Sequence, residues 1–350
     1  MTTYVSTFIP GLGEVVADAL KRSLAHVQLD LLLDGLAVYR SLSDIADVQS
    51  LRFCNNSFVC VFSFDGLGHN PIGSMSRAVL ADGQLLDRIA PHLPRKSLTY
   101  RFVASHGNQF VSIPQRTRAD LERLLSCEKR LRPDHSNPDI EFWLLSRREG
   151  FGCVGVRITR HRAYEKALAR GELRPELCHL LCLVSEPAKD DIVLDPFCGS
   201  GAIPLERAFA FPYQTVLAGD ADSKHVKSLR SKVRQLRWVQ RRKQQKFVIG
   251  RWDARDLRTF APDSVDKIIT DPPWGFYQQQ SPDPERFQRE MLREFHRVLR
   301  RNGLLVLLAG RPQLFEDSLQ DLKGALTVVE RYDVLVSGKK ASVFKVAKST

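Results

Sequence analysis

From Asp191 onward, short apolar runs alternate with longer amphipathic ones, and that alternation most limits the fold open to this chain. Strand-like runs fall at residues 192–194, 215–219, 247–250, 265–270, 303–308, 326–332 and 342–346, with helical periodicity near 202–210, 222–243, 284–301 and 311–321. Repeated strand–helix–strand units need crossover connections, hence a parallel sheet covered by helices. The last two runs join across Gly338-Lys339-Lys340 as a hairpin. The prediction is an α/β, Rossmann-like domain with a seven-stranded, mostly parallel sheet. Ligands of such sheets bind in the crevice outside the carboxyl ends of the strands.

Two stretches stand at those ends. Asp195-Pro196-Phe197-Cys198-Gly199-Ser200-Gly201 follows the first run and opens a helix, an arrangement that offers backbone N–H groups to a ligand. Asp271-Pro272-Pro273-Trp274-Gly275 follows the fourth run. Between them, Asp220 ends the second run, where an acid can accept hydrogen bonds from a ribose diol, and Asp253 with Ala254 follows the third, where it can meet an adenine amino group. Each of these two acids taken singly also suits a helix N-cap. Four such features in register point to one crevice.

The ligand class can be narrowed. A phosphate loop needs Gly-x-x-x-x-Gly-Lys-Ser/Thr, which is absent, and a nicotinamide site needs a third glycine where Pro204 stands. Two close glycines and a preceding Asp suit a ligand without a pyrophosphate, such as S-adenosylmethionine.

Residues 173–350 resemble class I, Rossmann-like methyltransferases that use S-adenosylmethionine. The run Leu173-Arg174-Pro175-Glu176-Leu177 leading to the Asp195–Gly201 turn is similar to the THUMP-containing RNA methyltransferases, which modify the guanine 2-amino group in tRNA. Thr7-Phe8-Ile9-Pro10-Gly11-Leu12 and Asn137-Pro138-Asp139-Ile140 resemble that family's N-terminal part. The resemblance implies that Asp195, Phe197, Cys198, Gly199, Ser200 and Gly201 line the cofactor, that Asp220 holds its ribose, and that Asp253 and Ala254 meet its adenine. It also implies that Asp271, Pro272, Pro273 and Trp274 form the catalytic Asp/Asn-Pro-Pro-aromatic motif, with Trp where Tyr or Phe is commoner.

The chemistry of that motif can be argued directly. An exocyclic amine is a poor nucleophile because its lone pair is delocalised into the ring. The Asp271 carboxylate and the Pro272 carbonyl can accept its two N–H groups and turn the lone pair towards a methyl, while paired prolines keep those acceptors rigid. Trp274 offers a face to a base turned out of its stack. The bland reading is a Pro-Pro turn beside a core Trp. Methyl transfer in one displacement needs no covalent intermediate, so Cys198 is read as a packing residue, and His161 and His179 as structural.

The formal charge of +12 localises. From Lys224 to Lys246 the chain carries ten basic residues and no acid, while Val226, Leu229, Val233 and Leu236 are spaced to bury one helix face. A solvated face would normally mix in Glu for i,i+4 pairs. Lys227, Arg230, Arg234, Arg241, Arg242 and Lys243 are therefore candidates for contacting RNA phosphates; Trp238 nearby is assigned to the core.

Upstream, residues 1–68 predict a ferredoxin-like α+β module of net negative charge. Residues 69–158 predict a THUMP-like RNA-binding module, 76–132 holding eleven Lys or Arg against five acids. A linker and docking helix occupy 159–190, and 191–350 form the catalytic domain. Seven scattered cysteines without a Cys-x-x-Cys pair argue for reduced thiols and against a zinc site. No run reaches the ~18 apolar residues of a membrane span, and Met1-Thr2-Thr3-Tyr4 opens no signal peptide, so a cytoplasmic location is expected.

The expected function is methylation of a guanosine 2-amino group in RNA, tRNA first, by a protein of open oligomeric state with room for a small partner subunit. Two other readings stand beside it: adenine N6 methylation of RNA or DNA, and a non-catalytic RNA-binding protein with a vestigial cofactor site. Intact Asp195, Gly199, Gly201, Asp220 and Asp271 argue against the last.

Overall fold

The computed structural model describes residues 1–93, 96–159, 172–236, 245–274 and 283–349. His161, Trp238, Arg241, Arg242 and Lys243 lie outside them. The chain divides into two units, Met1–Thr7 with Leu20–Glu165, and Phe8–Ala19 with Lys166–Thr350.

In chain order the first half contains β1 (Thr2–Thr7), α1 (Gly13–Ser23), β2 (Gln28–Leu33), β3 (Leu36–Ser41), α2 (Ile45–Gln49), β4 (Asn56–Phe64), α3 (Pro71–Asp82) and α4 (Leu85–Ile89). It continues with β5 (Leu98–His106), β6 (Gln109–Val111), α5 (Gln115–Leu125), β7 (Leu131–Pro133), β8 (Ile140–Ser146) and β9 (Gly152–Arg157). The strands form one nine-stranded sheet in the order β2-β3-β1-β4-β9-β8-β5-β6, with β7 on β5. Antiparallel pairing of β4 with β9 carries that sheet across residues 1–68 and 69–158 alike. α3 stands in a stretch whose apolar spacing is weak, and its start is set by local chemistry. Asn70 Oδ1 accepts from the Gly73 amide at 3.1 Å, Pro71 fills the first turn, and Met75 and Val79 are fully buried.

The second unit is built from α6 (Pro175–Val184), β10 (Ile192–Asp195), α7 (Ala202–Ala210), β11 (Thr215–Asp220), α8 (Ser223–Gln235), β12 (Lys246–Arg251) and β13 (Val265–Thr270). After it come α9 (Pro284–Val298), β14 (Leu299–Ala309), α10 (Pro312–Leu319), β15 (Leu326–Val336) and β16 (Lys339–Lys348). The sheet order is β12-β11-β10-β13-β14-β16-β15. The first five strands are mutually parallel, and β16 lies antiparallel between β14 and β15. Strand order reverses at β10, whose neighbours are β11 and β13, so the crevice of a doubly wound sheet opens there. The seven-stranded, mostly parallel sheet is as the alternation requires. The boundaries of the last three strands differ. β14 starts at Leu299 rather than 303, because Val265 pairs Leu299 while Lys267 pairs Leu304, and the extra residues loop out through Asn302 at φ +60°. β15 runs on to Val336 and β16 begins at Lys339, since Leu335 pairs Lys340 and Val336 pairs Lys339, so the hairpin turns at Ser337-Gly338 and both lysines belong to the strand.

Two interior features set the crevice. Leu194, Ile268, Leu305 and Phe344 from four strands pack with Leu292 and Phe295 of α9 in one core. On the glycine-turn helix α7, Arg207 is 0% exposed and donates to the Pro212 carbonyl at 2.7 Å, the Ala188 carbonyl at 3.2 Å and Asp191 Oδ2 at 2.8 Å. A buried cation so held ties the helix to the start of β10.

Candidate active site

Parallel strands end on the same side of a sheet, so the four predicted acids share an edge. Asp253 follows β12, Asp220 ends β11, Asp195 ends β10 and Asp271 follows β13. Leu194 pairs Ile268 across β10 and β13, which brings the two motif-bearing ends side by side. The link is direct: the Thr270 hydroxyl donates to Asp195 Oδ1 at 2.7 Å, and the Phe197 amide donates to the same oxygen at 3.1 Å. Asp195 is buried and pins the glycine turn to the strand before Asp271.

The turn is set by further backbone bonds. The Cys198 amide donates to the Gly219 carbonyl at 2.8 Å, and the Gly199 amide to Asp220 Oδ2 at 3.0 Å. Gly201 caps α7 at φ +87°, where a Cβ would lie 2.4 Å from Leu229 Cδ1, so both conformation and space require glycine. Above Gly199 the situation is opposite. A Cβ there would meet only the Phe197 carbonyl, at 4.0 Å, leaving room for a ligand against bare backbone.

Asp220 also accepts from the Asp222 amide at 2.8 Å, and His225 Nδ1 lies 3.1 Å from its Oδ2. Both oxygens of Asp253 accept from Arg255, the guanidinium reaching Oδ2 at 2.7 Å, and this partner holds the carboxyl below its usual range. Ala254 is buried in the core, and Phe197 packs against Phe287 with ring centroids 6.1 Å apart. The Ser200 hydroxyl donates to Glu172 Oε1 at 3.2 Å. Burial, with Asp195 and Asp220 near, pushes the Cys198 thiol well up, the opposite of what a nucleophile needs.

In the second motif Asp271, Pro272 and Trp274 are half-buried and Pro273 is exposed. The Trp274 indole N–H donates to Asp271 Oδ1 at 2.7 Å. Thr270, His225, Glu172 and Gly310, on which the Trp274 ring rests, were not among the sequence candidates; Thr270, Glu172 and Gly310 act through tertiary contacts that no local pattern announces, while His225 lies only five residues beyond Asp220. On α8, Lys227, Arg230 and Arg234 are exposed while Val226 and Leu229 are buried, and Arg230 reaches the Ile249 carbonyl at 3.0 Å.

A row of carboxylates repels a pyrophosphate and suits a ligand that carries hydroxyls and positive charge. Burial raises Asp195 to about 7, with Asp271 and Asp220 adding repulsion, and burial raises Asp271 to about 7 against the bond from Trp274. A carboxyl with a folded pKa above its unfolded value holds its proton longer when folded. Its contribution to stability is therefore present in acid and lost as pH rises to 7. His92 and His296, lowered by burial, slope the other way. The reading is thus a difference: relative to Asp195→Asn, the wild type should lose about 1 kcal/mol per pH unit between pH 5 and 7 in denaturant melts. Parallel curves would mean that Asp195 ionises normally.

Fold and site together define a class I methyltransferase architecture. The chain belongs to the family described as UPF0020, RMKL-like, methyltransferase domain, which matches residues 162–341. It is 34% identical over 172 residues to a tRNA (guanine(6)-N2)-methyltransferase of Thermus thermophilus, covering 47% of this chain and 49% of that one. It is 28% identical over 221 residues to human tRNA (guanine(6)-N(2))-methyltransferase THUMP3, covering 60% of this chain and 43% of that one. The chain thus spans about half the length of these relatives. The crystal structure of TrmN from Thermus thermophilus superposes with a TM-score of 0.76 at 23% identity, over 99% of this chain and 100% of that one, so the fold is shared from end to end. Among the described residues no helix is long and apolar enough to cross a membrane.

Proposed function

We propose that this protein transfers a methyl group from S-adenosylmethionine to the exocyclic 2-amino group of a guanosine in tRNA. The observation that carries the reading is the Thr270–Asp195 bond, which joins the open glycine turn to the Asp-Pro-Pro-Trp motif in one crevice. The relatives named as tRNA guanine-N2 methyltransferases support the substrate class. The cofactor, when bound, supplies an electrophilic methyl on a sulfonium.

The residues of this chain do the rest. Phe197, Cys198, Gly199, Ser200 and Gly201 offer backbone to the amino-acid end. Asp220, fixed by the Gly199 amide and His225, accepts from the ribose hydroxyls. Asp253 and Ala254 stand at the adenine end; a carboxylate has lone pairs beyond those Arg255 uses. Asp271 accepts one N–H of the target amine and the Pro272 carbonyl the other, turning the lone pair inward, with Pro273 keeping the turn stiff and Trp274 against the base. Residues 69–158 serve as the THUMP-like RNA module beside the 1–68 module and the 159–190 linker, and the protein acts in the cytoplasm.

The α8 cations, continued by Arg241, Arg242 and Lys243, meet RNA phosphates. The double substitution Lys227→Glu with Arg230→Glu should weaken RNA binding about tenfold or more near 100 mM salt and reduce the log–log salt slope by about two. An unchanged slope would put the RNA elsewhere. The function itself is tested by methylating tRNA with labelled cofactor and resolving the nucleosides by mass spectrometry. N2-methylguanosine is expected; N6-methyladenosine would move the chemistry to adenine, and no product from active-looking folded protein would favour simple RNA binding or a missing partner subunit.

A further inference from the structure

The aromatic residue of the second motif does something its ring alone does not explain. Because β13 and β14 are parallel, with Thr270 opposite Leu307, the Asp271–Trp274 loop passes over the end of β14, where Gly310 follows Ala309. The indole lies directly on Gly310: a Cβ there would stand 2.1 Å from both Trp274 Cγ and Cδ2 and 2.6 Å from Cε3. No side chain fits beneath the ring. From that seat the indole N–H reaches Asp271 Oδ1 at 2.7 Å.

We propose that Trp274 is the donor that holds the Asp271 carboxylate in its working orientation, and that Gly310 is a positioning residue that acts through Trp274. The inference rests on the methyl-transfer reading above. A phenylalanine or tyrosine ring on the same seat could present a face but no indole N–H. Trp274 occupies one carboxylate oxygen and thereby aims the other, Oδ2, at the amine. The same bond favours the ionised carboxylate in a half-buried place, where a charge alone would be disfavoured. The titratable groups of the described residues that face Asp271 are Asp195 at the end of β10 and Cys178 of α6, both of which feel its charge. Neither donates to it.

The test uses Trp274→Phe, which keeps a ring and removes the N–H, and Gly310→Ala, which keeps the indole and removes its seat. In ¹H–¹⁵N spectra of the full chain without cofactor or RNA, the indole resonance absent from Trp274→Phe should titrate near neutral pH. An Asp195→Asn background separates the two carboxyls. In Gly310→Ala the resonance should lose that titration. In methyl transfer, each variant should lower kcat about tenfold and move the acid limb of kcat/KM up by about one pH unit, with KM for RNA little changed. The double variant should be no worse than the poorer single one. A Trp274 resonance flat from pH 5.5 to 8.5, or a Gly310→Ala protein with wild-type titration and pH profile, would overturn the proposal. An indole that titrates in a protein methylating no RNA would uphold the contact and overturn only the reaction assigned to it.

Discussion

Asp271→Ala is expected to lower methyl transfer about 10³-fold while leaving affinity for S-adenosylhomocysteine within a factor of two or three. In the proposed reaction the carboxylate accepts from the target amine. Its loss removes both the orientation of the lone pair and the nearest negative charge to the nitrogen as positive charge develops there. Cofactor binding should survive because the glycine turn is fixed by other bonds, from Thr270 and Phe197 to Asp195 and from Gly199 to Asp220. Stability should not fall either: the substitution removes a charge that burial disfavours and relieves the repulsion felt by Asp195. Asp271→Asn, which keeps an acceptor oxygen without the charge, should fall between. Single-turnover rates beside calorimetry separate the two quantities, and near-wild-type turnover in Asp271→Ala would end the role given to it.

Arg207→Ala should produce the largest loss of stability, about 3–5 kcal/mol, seen as a fall in Tm of about 10 °C. The guanidinium has no access to water, and its removal strands more than its own contacts. Asp191 is 4% exposed; its carboxylate also accepts from the Ala188 amide at 2.7 Å and would keep a buried charge without its cation. The Pro212 and Ala188 carbonyls lose a donor as well. Since Gly201 of the glycine turn caps α7, loosening this anchor should also weaken cofactor binding. Arg207→Met combined with Asp191→Leu should recover much of the loss, because an apolar pair leaves no buried charge. A cost below about 1 kcal/mol for Arg207→Ala would mean that the pair does not hold α7.

The strands β10, β11, β12 and β13 were visible in the sequence within a residue or two: β10 and β11 as the near-continuous apolar runs of a buried parallel sheet, and the half-exposed edge strand β12 by its Phe247-Val248-Ile249 run. The acids at their ends were visible too, because four of them recur at or just after successive strand ends, a register that helix N-caps taken singly do not explain. The partners of those acids were not. Thr270 looks like the last residue of a strand, and only pairing of β13 with β10 puts its hydroxyl on Asp195. Gly310 looks like an ordinary strand-to-helix turn before Arg311-Pro312, and only the register of β14 beneath the Trp274 loop makes it a seat. Asp253 was legible as an acid at the third strand, but nothing in the spacing shows that Arg255 two residues on turns back to pair with it. In the first half, α3 carried a readable start at Asn70-Pro71 that its weak apolar spacing obscured. The pairing of β4 with β9 joins strands some ninety residues apart, and antiparallel pairing over that distance leaves no local mark.

The most direct measurement is a crystal structure of the protein with S-adenosylhomocysteine. The account predicts the ligand's amino-acid end over Gly199, its ribose on Asp220, and its sulfur facing the Asp271 carboxylate with Trp274 still on Gly310. A ligand bound away from the glycine turn, or an Asp271 turned from the sulfur with no room for a base between them, would contradict it.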